Sequence, residues 1–149
     1  MSEDTNPRIS EVLPSDVWGM LEHDASAVLI DVRTRAEWSY VGIPDLRELP
    51  NPFLMLEWEM WPDMQINPVF IEKVEEQLWG RVPSSMFFLC RSGVRSLKAT
   101  RTMASHFEGA GKPVKCVNVV NGFEGDKNDV GHRGIVNGWK ACGLPWRQS

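Results

Sequence analysis

Three segments of the chain are dense in apolar residues over a strand's length rather than alternating, as strands covered on both faces are. Ala27-Val-Leu-Ile-Asp31-Val is the first and runs through an acid near its end. Met86-Phe-Phe-Leu-Cys90 is the second, and Val114-Lys-Cys-Val-Asn-Val-Val120, followed by Asn121-Gly122, is the third. Ile9-Ser10-Glu11 begins a short edge strand. Helical spacing fills the intervals. Ser15 is placed to cap a helix over about Asp16 to His23, with Val17, Trp18 and Leu21 on one side. Thr34 caps a short helical turn through Glu37, Trp38 and Tyr40. Asn67-Pro68 supplies a cap and a first-turn proline for a helix running to about Leu78. A longer helix is expected from about Val94 to Phe107, with Leu97, Thr100, Met103, Ala104 and Phe107 on one face and Gly109 to Gly111 ending it. Strands alternating with helices define an α/β domain with a mainly parallel sheet, whose strand order the pattern leaves open. Residues 46 to 67 form a long connection containing Phe53-Leu-Met-Leu-Glu57-Trp58-Glu-Met-Trp61, read as a short helix packed on the sheet in preference to a substrate rim.

Length and composition change this picture little. At 149 residues the expectation is a single domain over 9–149 behind a flexible polar tail over 1–8, large enough for a core without metal or disulfide staples. The net charge of -4 gives no global attraction to nucleic acid or anionic membranes, so an anionic substrate needs a local positive site. No apolar run approaches the roughly 18 residues of a membrane span, and the polar, acidic start lacks an export signal. Cys90, Cys116 and Cys142 are odd in number and contain no CxxC pair, which argues against a disulfide framework and a structural zinc site. A reducing, cytoplasmic setting is expected, with no metal and no organic cofactor.

One segment carries chemistry: Cys90-Arg91-Ser92-Gly93-Val94-Arg95-Ser96. It puts a cysteine at the carboxyl end of a buried strand, before a turn and a helix N-terminus, the edge where open α/β sheets hold ligands. Successive turn amides and the helix N-terminus make an anion cradle. Gly93 allows the tight curl, and Arg91 and Arg95 add positive charge. A free thiol ionises near pH ~8.5, and helix N-termini and cations lower that value, so this setting predicts an activated nucleophile. Most lone cysteines are core residues; the flanking turn favours the nucleophile at Cys90, whereas Cys116 inside a strand and Cys142 near the C-terminal Gly-Leu-Pro read as structural. His23, His106 and His132 read as surface or packing residues, none being next to Cys90 in sequence.

The loop resembles the active-site loop of rhodanese domains, six residues long counted from the cysteine. Leu29-Ile-Asp31-Val-Arg33 with Glu37-Trp38 resembles that family's Asp-Val-Arg segment, and Gly42-Ile43-Pro44 its Gly-His-Ile-Pro turn without the histidine. Asn121-Gly122-Phe123 and Trp139-Lys-Ala-Cys-Gly143-Leu144-Pro145 resemble the glycine turn after the last core strand and the terminal Trp…Ala-Gly-Leu-Pro. The matches run in family order from about Pro14 to Trp146. The resemblance implies a rhodanese-like fold, a twisted, mostly parallel five-stranded sheet with helices on both faces. It implies a sulfurtransferase in which Cys90 takes sulfane sulfur from a small anionic donor such as thiosulfate and passes it to cyanide, a thiol or a protein acceptor. In that picture the loop residues Arg91, Ser92, Gly93, Val94, Arg95 and Ser96 hold the persulfide and the donor, while Asp31 and Arg33 brace the sheet edge. Between Gly122 and Trp139 the chain is longer than the compact family pattern by about a dozen residues, a lid or an inert loop.

Two other functions share these features. A sulfur-delivery or binding module would use the same persulfide but hand it to a protein partner. A rhodanese-related phosphatase or arsenate reductase uses a similar loop with five residues between cysteine and arginine; here four separate Cys90 from Arg95. The shorter loop suits a single sulfur better than a phosphate.

Overall fold

The computed structural model describes residues 9–148; the expected tail over 1–8 lies outside the described residues. In chain order the elements are β1 (Ile9–Val12), α1 (Pro14–His23), β2 (Val28–Asp31), α2 (Arg35–Val41), β3 (Ile43–Pro44), β4 (Phe53–Met55), β5 (Glu59–Met60), β6 (Gln65–Ile66), α3 (Phe70–Leu78), β7 (Ser85–Leu89), α4 (Val94–Gly109), β8 (Lys115–Val119) and β9 (Trp146–Arg147). Five strands form one sheet in the order β1-β8-β7-β2-β4, every neighbouring pair parallel. Two small antiparallel pairs, β3 with β9 and β5 with β6, lie outside it.

The density of apolar residues in β2, β7 and β8 follows from their central places, because side chains alternate between two covered faces. Val28, Ile30, Met86, Phe88 and Cys116 face one layer, formed by Phe70, Val74 and Leu78 of α3 with Ala99, Met103, Ala104 and Phe107 of α4. Leu29, Phe87, Leu89, Val117 and Val119 face the other, formed by Val17 and Leu21 of α1 with Phe123 and Trp139. The fold is therefore the rhodanese-like α/β class that the motifs implied, a parallel five-stranded sheet with helices on both faces.

Three local expectations are corrected. Ser15 does not cap α1: Leu13 is its N-cap, without a side-chain bond, and Pro14 occupies the first turn, where a residue lacking an N–H fits. Asn67 starts a turn rather than α3 itself; its Oδ1 accepts from the Val69 amide at 3.1 Å, and the helix begins at Phe70. The expected helix around Phe53 to Trp61 is absent. Phe53–Met55 pairs with β2 as the outer strand β4, and Glu59–Met60 turns into the β5–β6 hairpin. The physical reason is visible in burial: Leu54 is 8% exposed and its neighbour Met55 39%, the alternation of an edge strand with one covered face. A helix starting there would also meet Pro62.

Candidate active site

β7 is the middle strand of the sheet, and Cys90 follows its last residue directly. Three residues on, Gly93 sits at φ +108° and lets the chain reverse into α4. That reversal aims the Gly93 amide at the cysteine, where it donates to Sγ at 3.1 Å. Ser96, in the first turn of α4, brings its Oγ to 3.1 Å from the same sulfur. Cys90 is only 1% exposed, yet it forms part of the wall of a cleft of about 1040 Å³.

The turn after β8 clamps the loop from below. Phe123 N–H donates to the Cys90 carbonyl at 2.8 Å, and the amides of Glu124 and Gly125 both donate to the Arg91 carbonyl at 3.0 Å. With the carbonyls held on that side, the Gly93 N–H points to the sulfur. Gly122, at φ +61°, packs so closely that a Cβ there would lie 2.3 Å from the Cys90 carbonyl oxygen.

Arg91, Ser92, Val94 and Arg95 all border the cleft, Arg91 and Val94 being exposed. Ser96 is fully buried behind them. Arg95 does not stand free: its two terminal nitrogens fork onto Glu37 Oε1 and Oε2 at 2.6 and 2.9 Å. Glu37 is itself held by the Thr34 capping box at the start of α2. Burial pushes the Glu37 carboxyl up, but the Arg95 hydrogen bond and charge, the Thr34 amide and the charge of Arg33 outweigh it and hold it below the ordinary range. A lowered carboxyl contributes stability that is complete above its unfolded value, near 4.5, and lost as pH falls through the folded value. Glu37→Gln is thus expected to lose about 1 kcal/mol at pH 7, and less against the parent at an acid pH below the folded value, where the parent carboxyl is protonated too. Denaturant titrations at the two pH values check this.

Asp31 and Arg33 lie outside the cleft wall. Both are fully buried and joined by a fork, Nε to Oδ1 at 3.0 Å and Nη2 to Oδ2 at 2.7 Å. Arg33 Nη2 also donates to the Gly42 carbonyl at 2.8 Å, and its guanidinium lies 4.2 Å over the Phe123 ring. The pair therefore ties the β3 turn to the residue whose amide holds the Cys90 carbonyl. Removing charge from one partner of a buried pair strands the other, so Asp31→Asn is expected to cost roughly 2–3 kcal/mol while keeping one acceptor for Arg33. A urea midpoint unchanged from the parent would contradict this.

Several cleft residues were not foreseen. Glu59, Trp61 and Met64 of the β5–β6 hairpin form one side, so this connection is a rim after all. Glu124, Lys127, His132 and Arg133 line it from the long 122–139 connection, which has no helix or strand and overhangs the site. His132, whose place in the sequence reads as surface or packing, borders the same cleft as Cys90. Asn118, a polar residue inside an apolar strand, was the one legible signal passed over; it accepts from Ser96 Oγ at 2.6 Å. The other thiols sit elsewhere: Cys116 is buried in β8, and Cys142 is exposed with burial of its sulfur region pushing the thiol up. Among the described residues, no cluster of acidic, histidine and cysteine side chains could hold a metal, and no helix is long and apolar enough to cross a membrane.

The class that fold and site define is an α/β, rhodanese-like domain with a cysteine loop at the carboxyl edge of its central strand. No family model matches the chain. It is 34% identical over 139 residues to the RP600 homolog of Rickettsia rickettsii, covering 93% of this chain and 98% of that one. RP600 of Rickettsia prowazekii is 32% identical over the same length, and both are described as uncharacterized proteins. The crystal structure of Rv0390 from M. tuberculosis overlays with a TM-score of 0.77 at 41% identity, covering 94% of this chain and 98% of its own. The chain belongs to the family of these RP600 and Rv0390 proteins. A rhodanese-like domain protein from Staphylococcus aureus overlays with a TM-score of 0.48 at 18% identity over 76% of this chain and 86% of its own, too distant to add to the topology itself.

Proposed function

We propose that the protein is a sulfurtransferase that carries sulfane sulfur as a persulfide on Cys90. The observation that carries this reading is the cysteine at the carboxyl end of the central strand, its Sγ receiving the Gly93 amide at 3.1 Å beside a cleft bordered by Arg91. The Cys90 thiolate attacks the outer sulfur of a donor such as thiosulfate. A new S–S bond forms at Sγ, the donor's own S–S bond breaks, and its electron pair leaves with sulfite. A thiophilic acceptor then removes the outer sulfur and returns the thiolate. Arg91, exposed at the mouth, is the cation for the anionic donor. Arg95 acts from within its Glu37 pair, holding the loop more than gripping substrate. No disulfide joins Cys90, Cys116 or Cys142, which suits a reducing, cytoplasmic setting in which the thiol can cycle. The reaction needs no metal or organic cofactor.

The forked Arg95–Glu37 pair speaks against the phosphatase or arsenate reductase reading, because that chemistry asks the arginine to fork onto the oxyanion. The cleft volume favours a delivery role. Clefts of roughly 300–1,000 Å³ hold drug-sized ligands, and thiosulfate or cyanide fills little of 1040 Å³. The acceptor is accordingly a larger thiol, on a peptide or a protein partner. Turnover with thiosulfate is expected to be faster with a peptide thiol than with cyanide, and hydrolysis of a phosphate ester is expected to be absent. Phosphate release that depends on Cys90, without sulfur transfer, would replace this reading by the phosphatase.

A further inference from the structure

Behind Cys90 lies a polar chain that the sulfur chemistry above leaves unused. Asn118 is 1% exposed in β8, among apolar neighbours, and Ser96 is fully buried beside it. The partners of the Asn118 amide settle its orientation. Nδ2 donates to Glu11 Oε2 at 3.1 Å and to the Gly93 carbonyl at 3.2 Å, both pure acceptors, so Oδ1 faces Ser96. The Ser96 hydroxyl has one proton and donates it to Oδ1 at 2.6 Å. Cys90 Sγ lies 3.1 Å from the same serine oxygen. With the proton committed to Asn118, only lone pairs of Ser96 face the sulfur, and the matching partner is a thiol donating S–H. A thiolate needs the opposite. It receives the serine proton only when the hydroxyl turns away from Asn118 and leaves a buried amide oxygen without a donor.

We propose that Asn118 is a positioning residue that competes with Cys90 for the single Ser96 proton and so sets how readily the sulfur ionises. The inference rests on the reading above in one respect, that Cys90 is the reacting sulfur. The thiol fits the Ser96–Asn118 bond because it donates S–H to Ser96; the inner sulfur of a persulfide has no proton but carries no formal charge, so it needs the serine proton far less than the thiolate does. On loading, the thiol proton leaves to solvent in the cleft, Ser96 turns to the thiolate, and once the new S–S bond has formed the hydroxyl returns to Asn118. The site thus rests either guarded as a thiol or loaded with sulfur. The charged groups lining the cleft that Cys90 borders are Arg91 and Arg95 from the loop and α4, Glu37 from α2 and Glu59 from the hairpin. Across the cleft stand Glu124, Lys127, His132 and Arg133, and Glu11 lies behind Asn118. All are unchanged in the variants compared; because Asn118→Ala also removes the Nδ2 bonds to Glu11 and Gly93, the comparison with and without the Ser96 hydroxyl is what isolates the proton competition.

The test is the rate of Cys90 alkylation by iodoacetamide as a function of pH, followed by peptide mass in a full-length Cys142→Ser background. Asn118→Ala is expected to alkylate about three- to tenfold faster at pH 7, the range one buried hydrogen bond gives. Its whole profile should move to lower pH with the high-pH plateau no higher than the parent's. Ser96→Ala should be slower at pH 7, and adding Asn118→Ala to it should change nothing further. Asn118→Leu keeps the volume and is expected to show the same sign, which serves should the alanine variant not fold. A profile that stays in place or moves to higher pH, a raised plateau alone, or an equal shift without the Ser96 hydroxyl would overturn the proposal. Alkylation uses no sulfur donor. Failure here therefore leaves sulfur loading standing, and failure of loading with these shifts present leaves the proton competition standing.

Discussion

Cys90→Ser is expected to lose sulfur transfer by at least about a thousandfold, the scale seen when a nucleophile is removed from an enzyme site. Serine is nearly isosteric and can keep contacts with the Gly93 amide and Ser96, so the loop should survive. Its hydroxyl is not ionised near neutral pH, and oxygen in place of sulfur cannot form a persulfide. The substitution therefore separates chemistry from architecture. Cys116→Ser alters a side chain buried in β8 and should cost stability before activity. Cys142→Ser, at an exposed site outside the Cys90 cleft, should keep most of the activity. Turnover of sulfane sulfur by the three purified variants makes the comparison. Equal losses at all three positions would remove the single-nucleophile account.

Gly122→Ala is expected to disturb the cysteine loop more than any other single added methyl group. The added Cβ would lie 2.3 Å from the Cys90 carbonyl oxygen and 2.6 Å from the Arg91 carbonyl carbon and oxygen. All three are backbone atoms, held by the amides of Phe123, Glu124 and Gly125, so none can swing aside as a side-chain tip would. The positive φ of +61° adds strain for any L side chain. Overpacking and backbone strain together suggest a loss of about 3–5 kcal/mol, a melting temperature lower by about 10 °C. Sulfur transfer should fall further than the unfolded fraction explains, because the displaced atoms belong to the cysteine loop itself. Gly143→Ala is the control. Its φ is +80° but nothing lies within 4 Å of the new carbon, so only the conformational cost of about 1 kcal/mol is expected. Similar melting temperatures for the two variants would contradict the clamp.

The central strands and the cysteine loop were legible because burial on two faces and a glycine between charged residues leave strong local marks. Val28–Asp31 and Ser85–Leu89 lie within a residue or two of where the apolar runs place them. Phe53–Met55 was misread because a three-residue strand shows too little alternation to compete with the helical spacing of the residues after it. Arg95 was read as free charge, since its partner Glu37 is 58 residues away in sequence and only the tertiary fold joins them. Ser15 failed as a cap for a purely local reason, the proline before it. His132 and Trp61 reached the cleft through connections without a regular period, where sequence spacing carries no distance. Asn118 was different: a polar residue at an inward position of a buried strand has to be satisfied, and Ser96, Gly93 and Glu11 are what satisfy it.

The cysteine loop, the clamp beneath it and the proton competition behind it all bear on one atom, Cys90 Sγ. Incubating the full chain with thiosulfate and measuring the mass of the Cys90 peptide therefore tests the account most directly. The account predicts one added sulfur on that peptide, released by a thiol acceptor, and none on Cys116 or Cys142. A Cys90 peptide that stays unmodified while the protein is folded, or sulfur that settles equally on all three cysteines, would contradict it.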